Sequence, residues 1–241
     1  MENSIPKIDK LYFRAIRAID DRQACIRFIE GHTKVLEIYG ITQITSAKID
    51  WILNPNVYMI VVTAENSDKI LAGGRIQIAG GSFPLPIEDA IGYIDDRIYP
   101  MITADKELVT GECCGLWNSW EIAGLGIGSI FLGRTCVAIT QQLQMKSLYA
   151  LCAPATYRNC IKTGFRVIDT IGNKGKFYYP KEDLTATALI IDDVNTLDNT
   201  FPEEKAAIEE LRNNLLMTKT IETKHGRIEI HFDLRIKGIT L

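Results

Sequence analysis

Gly124-Leu125-Gly126-Ile127-Gly128-Ser129 is the stretch on which the fold of this chain turns. Three glycines alternate over five residues, so no side chain shields the backbone and a ligand can approach the amides closely. A strand-like segment, 107–117, precedes them and a long helix-like segment follows. A helix opening right after the glycines aims its unpaired N–H groups, and the positive end of its dipole, at the same place. That arrangement suits an anion, most simply a phosphate or pyrophosphate. Gly124, Leu125, Gly126, Ile127, Gly128 and Ser129 are therefore the candidate cofactor-binding residues.

Downstream, the helix reads to about Gln144, with Leu132, Cys136, Ile139 and Leu143 on one face. Residues 147–152 form a short apolar strand. Pro154 opens a short helix to Thr163, and Gly164 closes it. Further strands are read at 165–171, 176–179 and 185–194. Upstream, 11–19 starts strand-like. Asp20 and Asp21 are candidate caps for a helix whose apolar residues run from Cys25 to Ile38 and which Gly40 stops. Ser46 caps a short helix through Ile52. Residues 57–62 and 70–78, joined by the polar turn 65–68, make a hairpin, and 87–98 reads as one amphipathic helix. This order predicts an α/β fold: a mixed, mostly antiparallel sheet with a parallel crossover in its middle and helices on both faces.

The tail reads differently. Thr200-Phe201-Pro202-Glu203 is a capping box with proline near the helix start, and Ile208, Leu211 and Leu215 give that helix an apolar stripe. His225-Gly226 is a turn. From 227 to 236 the alternation is strict, with Ile228, Ile230, Phe232, Leu234 and Ile236 on one face. One face of this strand must be covered. The expected division is a main domain over 1–195 and a C-terminal extension, helix plus β-hairpin, over 196–241. The extension packs on the core or forms a homodimer interface.

Composition narrows the function classes. A net charge of -3, with basic residues scattered, gives no nucleic-acid surface. Six cysteines without a C-x-x-C motif read as reduced, partly buried thiols rather than a disulfide scaffold. His32, His225 and His231 lack metal-ligand spacing, so no metal is expected. The first ten residues hold no apolar core of the secretory kind, and the uncharged stretch 122–133 is too short to span a bilayer. The chain is expected to be cytoplasmic and off the membrane.

Two nucleotide motifs fail on spacing. The dinucleotide fingerprint needs G-x-G-x-x-G and an acidic residue about 20 positions on. Here the glycines run G-x-G-x-G, and the strand at 147–152 ends in Ala153-Pro154. A Walker loop needs Lys-Ser or Lys-Thr after the glycines, and neither follows. The order strand, Gly124-x-Gly126-x-Gly128, long helix, strand, short helix, Gly164-Phe165 instead resembles the GNAT acyltransferase superfamily over about residues 55–195. The family's loop reads R/Q-x-x-G-x-G/A. The resemblance implies that the loop amides hold the pyrophosphate of acetyl-CoA or another acyl-CoA. It also implies a pantetheine arm slotted between two splayed parallel strands, 107–117 and 147–152, and direct acyl transfer to a small-molecule amine acceptor. Ala123 stands where the family has Arg or Gln. Cys160, four residues before Gly164, stands where it often has a tyrosine acid, and Tyr157 lies one turn earlier. A closer likeness is to the acyl-homoserine-lactone synthases and N-acyl amino acid synthases, through Arg14, Arg17, Gly73-Gly74-Arg75-Ile76 and Glu112. Of that branch's E-x-S-R-F only the glutamate is present, in Glu112-Cys113-Cys114-Gly115-Leu116. The branch implies acyl carrier protein as an alternative donor and partner.

Acyl transfer to an amine needs a base for the ammonium proton, donors for the thioester carbonyl and an acid for the leaving thiol. Glu112 lies in the otherwise uncharged segment 108–119, which suits a base of raised pKa. A half-exposed glutamate on a strand face is the plain alternative, and Glu121 is a second candidate at the loop mouth. Arg75 follows two glycines and is a candidate for a substrate carboxylate or a carrier phosphate, or else a structural arginine. Trp117 and Trp120 flank the loop as acyl-pocket lining or as core. Tyr157 and Cys160 are the candidate acids, and Cys160, Cys113 and Cys114 read equally as packed thiols. The same residues fit a non-catalytic domain that binds an acyl-thioester.

Overall fold

The computed structural model describes residues 8–41, 49–104, 107–223 and 226–239. Ser46 and His225, read above as a cap and a turn, lie outside the described residues, as does the side chain of Ser129.

Among the described residues one ten-stranded sheet forms. Its strands are β1 (Lys10–Arg17), β2 (Val57–Ala64), β3 (Ile70–Ile78), β4 (Val109–Asn118), β5 (Met145–Cys152), β6 (Arg166–Val167), β7 (Lys176–Tyr178), β8 (Thr185–Ile191), β9 (Leu216–Thr223) and β10 (Gly226–Asp233). The order is β6-β8-β5-β4-β3-β2-β1-β10-β9, with β7 also on β8. Pairs β1–β10 and β4–β5 are parallel and the other neighbours antiparallel. The expected mixed, mostly antiparallel sheet is what forms.

The helices are α1 (Arg22–Ile38), α2 (Pro86–Ile91), α3 (Ile98–Thr103), α4 (Gly128–Ile139), α5 (Pro154–Lys162) and α6 (Pro202–Asn213). Strand β2 shows why helices cover both faces. Tyr58, Ile60 and Val62 point into a core shared with α4 and α6, while Val57, Met59 and Val61 point into one shared with α1. A strand buried on both faces reads as a continuous apolar run rather than an alternating one. Gly73 and Gly74 on β3 let the helices come close. A Cβ at Gly73 would lie 2.5 Å from the Phe28 ring of α1, and one at Gly74 would lie 3.1 Å from Cys136 Sγ of α4. A third core, under α2 and α3, takes Tyr149, Ile168, Ile171, Phe177 and Ile190.

Asp21 caps α1 as expected, its carboxylate accepting from Ala24 N at 2.9 Å. Four expectations need correction. Residues 87–98 are not one helix. Tyr93 and Ile94 are exposed, and Asp95 turns to accept from Gly172 N at 2.7 Å, so α2 and α3 are separated by a turn. Helix α4 stops at Ile139, short of Gln144, because the next residues serve the tail: Gln142 donates to Leu234 O at 2.8 Å and accepts from Ile236 N at 3.1 Å. Thr200 caps nothing. Its hydroxyl donates to Thr163 O at 3.3 Å, and Phe201 precedes Pro202 at the start of α6 without a side-chain cap. Of 165–171 only Arg166–Val167 pairs as strand, since Ile168 and Ile171 leave it for the core beneath α2 and α3.

In the tail, Ile228, Ile230, Phe232, Leu234 and Ile236 are all buried in the core under α4 and α6, as the alternation demanded. No helix among the described residues is long and apolar enough to cross a membrane.

Candidate functional site

Strands β4 and β5 pair in parallel only from Val109↔Met145 to Glu112↔Tyr149. Beyond Glu112, β4 stays with β3, whereas β5 stays with β8 through Cys152↔Thr187. The two strands therefore part beyond Glu112. A bulge marks the departure. Arg75 faces Cys114 and Gly73 faces Trp117, so Gly115 and Leu116 together oppose Gly74 alone.

The glycine loop follows the parted end of β4 and leads into α4. Gly124 and Gly126 have φ of +82° and +75°, and a Cβ on either would meet nothing within 4 Å. The left-handed backbone makes any other residue costly there, and the space a side chain would take is open. Ile127 is buried in the core and Leu125 packs against it, so the loop is anchored between its open glycines. Helix α4 begins at Gly128 with no side-chain cap and no acidic residue in its first turn. Among the described residues the amides of Gly124, Gly126, Ile127 and Gly128 have no partner. Uncapped amides at the positive end of a helix of this length, beside open glycines, fit a pyrophosphate. Asn118 stands next to them, with its Nδ2 3.0 Å from the Cβ position of Gly128.

Successive residues of a strand face opposite sides, and β4 divides its side chains accordingly. Cys113 faces the α4 core, which it shares with Cys136. Glu112 faces the α2 side and is 2% exposed, with its Oε2 accepting from Ile87 N in the first turn of α2 at 2.7 Å. Burial pushes its carboxyl up to about 8, against the pull of the Ile87 donor and the Arg75 charge. Arg75 on β3 is 1% exposed. Its Nε donates to Cys114 Sγ at 3.3 Å, its guanidinium lies 4.6 Å from the Trp51 ring centre, and its Nη1 has no partner among the described residues. Around it the titratable groups are held neutral. Burial and the Arg75 charge push His32 down to about 4, and burial pushes the Cys114 thiol up to about 12. A buried guanidinium with an open donor and no carboxylate in contact is costly unless an anion joins it.

The structure thus brings Glu112 and Arg75 to one side of the sheet. Trp117 is buried in the α1 core, with its ring 5.7 Å from Phe28 at 77°. Trp120 is exposed. Glu121 pairs with Lys69, which together with further hydrogen bonds outweighs burial and lowers its pKa. Cys160 lies on α5, packed against the α4 core, while Tyr157 is 37% exposed on the same helix. Arg14 and Arg17 lie on β1, three strands from β4. The sequence reading weighed His32 only as a metal ligand, and passed over Trp51 and Gln77, whose Nε2 donates to Pro84 O at 2.8 Å beside Glu112. The placement of His32 four residues after Phe28, on the apolar face of α1, was the available signal. It also passed over Cys152, which ends β5 beyond the last residue paired to β4.

No family model matches the chain, and no curated protein matches it. Solved structures do. A structure of FeeM, an N-acyl amino acid synthase from uncultured soil microbes, is 13% identical with a TM-score of 0.60, covering 81% of this chain and 97% of that one. MesI, a CoA-dependent acyl-homoserine lactone synthase, is 14% identical with a TM-score of 0.52, covering 83% and 95%. BjaI, another such synthase, solved with SAM and isopentyl-CoA, is 10% identical with a TM-score of 0.53, covering 96% and 95%. The fold is GNAT-like and resembles that branch, as the glycine loop and its flanking elements had implied.

Proposed function

We propose that this chain is an N-acyltransferase that passes an acyl group from acyl-coenzyme A directly to an amine. The observation that carries the reading is the uncapped start of α4 behind two open left-handed glycines, set where β4 and β5 part. Those amides would hold the donor's pyrophosphate, and its pantetheine arm would lie where β4 and β5 part. Loss of the family's Arg or Gln at Ala123 leaves the amide cradle intact. The likeness to CoA-dependent synthases supports coenzyme A as the carrier; acyl carrier protein is the alternative, and Arg75 could meet its phosphate in place of a substrate carboxylate.

The acceptor enters from the α1 and α2 side. Arg75 binds a carboxylate on it through the unpartnered Nη1, with Trp51 holding the guanidinium flat. Glu112, as carboxylate, takes the proton from the acceptor's ammonium so that the free amine can attack. The acid for the leaving thiol comes from α5, where Cys160 lies deeper than Tyr157. The amine with a carboxylate agrees with FeeM's acceptor class, an amino acid. Such chemistry suits a cytoplasmic enzyme.

Thermal unfolding with acetyl-CoA, palmitoyl-CoA and free CoA tests the reading in the wild type and in Gly126→Val. The wild type is stabilised and the variant is not, and the preferred chain length identifies the donor. Equal stabilisation of both proteins overturns the cradle. No stabilisation by any CoA turns the reading to a carrier-protein donor.

A further inference from the structure

Strands β3 and β4 set Gln77 directly opposite Glu112, so the two side chains rise from the same face of the sheet. Both are buried, and both reach the segment that leads into α2. Gln77 Nε2 donates to Pro84 O at 2.8 Å, and Glu112 Oε2 accepts from Ile87 N at 2.7 Å. A carbonyl can only accept, which fixes the Gln77 amide with its nitrogen toward Pro84. Among the described residues Pro84 O has no other donor.

The chain between these two bonds has little freedom. Pro84 and Pro86 each hold φ at about −65° and bar the residue before them from the helical region. Leu85, between them, is extended at φ −65° and ψ 146°. Its N–H donates to Glu88 Oε2 at 2.7 Å, and its carbonyl accepts from Glu88 N at 2.9 Å. Pro84-Leu85-Pro86 is therefore a stiff strut, and a hold on the Pro84 carbonyl is a hold on the Ile87 amide. That amide lies in the first turn of α2, where no carbonyl of the helix can accept from it. The charged and titratable groups around Glu112 are Arg75 from β3, Cys114 on its own strand, Glu88 and Asp89 from α2, and Tyr149 opposite it on β5. None of these bonds it, so among the described residues the Ile87 amide is its one donor.

We propose that Gln77 is a positioning residue for Glu112: through the Pro84 carbonyl and the proline strut it holds the Ile87 amide on Oε2, which fixes the carboxylate and leaves Oε1 to the acceptor's ammonium. The hold on Glu112 is independent of the acyltransferase reading; the use of Glu112 as the base rests on it.

The test follows the Glu112 carboxyl by carbon-13 NMR in chain carrying labelled glutamate, its signal identified by its absence from Glu112→Gln. Gln77→Met keeps the length and the apolar stem and removes the donor. Pro84→Gly, at an exposed position, keeps the Gln77 bond and loosens the strut. A backbone donor favours the carboxylate, so its loss moves the titration upward from about 8, by about one unit in Gln77→Met and in the same direction in Pro84→Gly. An unmoved titration in a folded Gln77→Met overturns the proposal. So does a titration that moves in Gln77→Met but not in Pro84→Gly, since the strut would then transmit nothing. With an amino-acid acceptor and acyl-CoA, the transfer rate of Gln77→Met at pH 7 falls about tenfold and recovers as pH rises. A loss of equal size at every pH is what structural damage alone would give, and it overturns the positioning role. A shifted titration in proteins that transfer no acyl group, wild type included, supports the hold on Glu112 and counts against the acyltransferase reading alone.

Discussion

At the residue scale the decisive feature is that Glu112 and Arg75 are buried side by side on adjacent strands without touching. Had they paired, each would satisfy the other and neither would be available to a substrate. Arg75 instead meets a thiol and a tryptophan ring, and Glu112 meets a backbone amide. The carboxyl that results is raised to about 8, so the working carboxylate is the minor form at neutral pH. The acyl-transfer rate should therefore climb as pH rises through about 8, and Glu112→Gln should lose about 10²–10⁴-fold and show no such climb. A rate profile that keeps its inflection in the variant would assign the proton transfer elsewhere. The linkage to stability has the matching sign. A carboxyl raised in the fold disfavours the folded state increasingly as pH rises from its ordinary 4.5 toward 8, so urea unfolding across that window should be flatter for Glu112→Gln.

At the scale of elements, β10 shows how one strand can have two unlike faces. Phe232 is buried against Phe13 of β1, the ring centres 5.2 Å apart. On the other face His231 stacks on Tyr12 at 4.7 Å but stays partly open to water, bonded to Thr218 and Glu229. Phe232→Ala should cost about 3–5 kcal/mol in urea unfolding, since it leaves a void in a packed core. His231→Ala should cost under about 1 kcal/mol, as half-exposed pairs contribute little. Equal costs would mean that the α4 side of β10 is not the core side. This strand was legible from its sequence because a period of two in apolar residues has one structural meaning. The segment 87–98 was misread because its apolar periodicity includes Tyr93 and Ile94, which the fold leaves exposed, and because the Asp95 bond to Gly172 that breaks it is made across 77 residues.

At the scale of the whole molecule, local pattern sufficed for the parts whose signal is local: the glycine loop, the β2–β3 hairpin, and the β4–α4–β5 crossover. It could not reach pairings between distant segments. Nothing near Lys10 says that β1 will take β10 as its parallel neighbour, yet Lys10 sits opposite Glu229 in the register. Arg75 and Trp51 meet the same way, through the cation–ring contact rather than through any spacing. The tail's place in the sheet has a consequence for the chain's integrity. Ile208 and Leu211 of α6 and Ile228, Ile230 and Phe232 of β10 share one core with Leu132, Cys136 and Ile139 of α4. Arg212 reaches from α6 to Val137 O at 3.3 Å and Val194 O at 2.6 Å. Arg134 of α4 forks onto the buried Glu204 at 2.5 and 3.0 Å. Cutting the chain after Val194 removes all of these, uncovers the α4 face and frees the edge of β1, a template for aggregation. The shortened chain should lose cooperative thermal unfolding by circular dichroism and elute as aggregate. If it stays monomeric, folded and able to bind CoA, the tail is not part of the core, and its apolar face must serve another purpose, such as joining two copies.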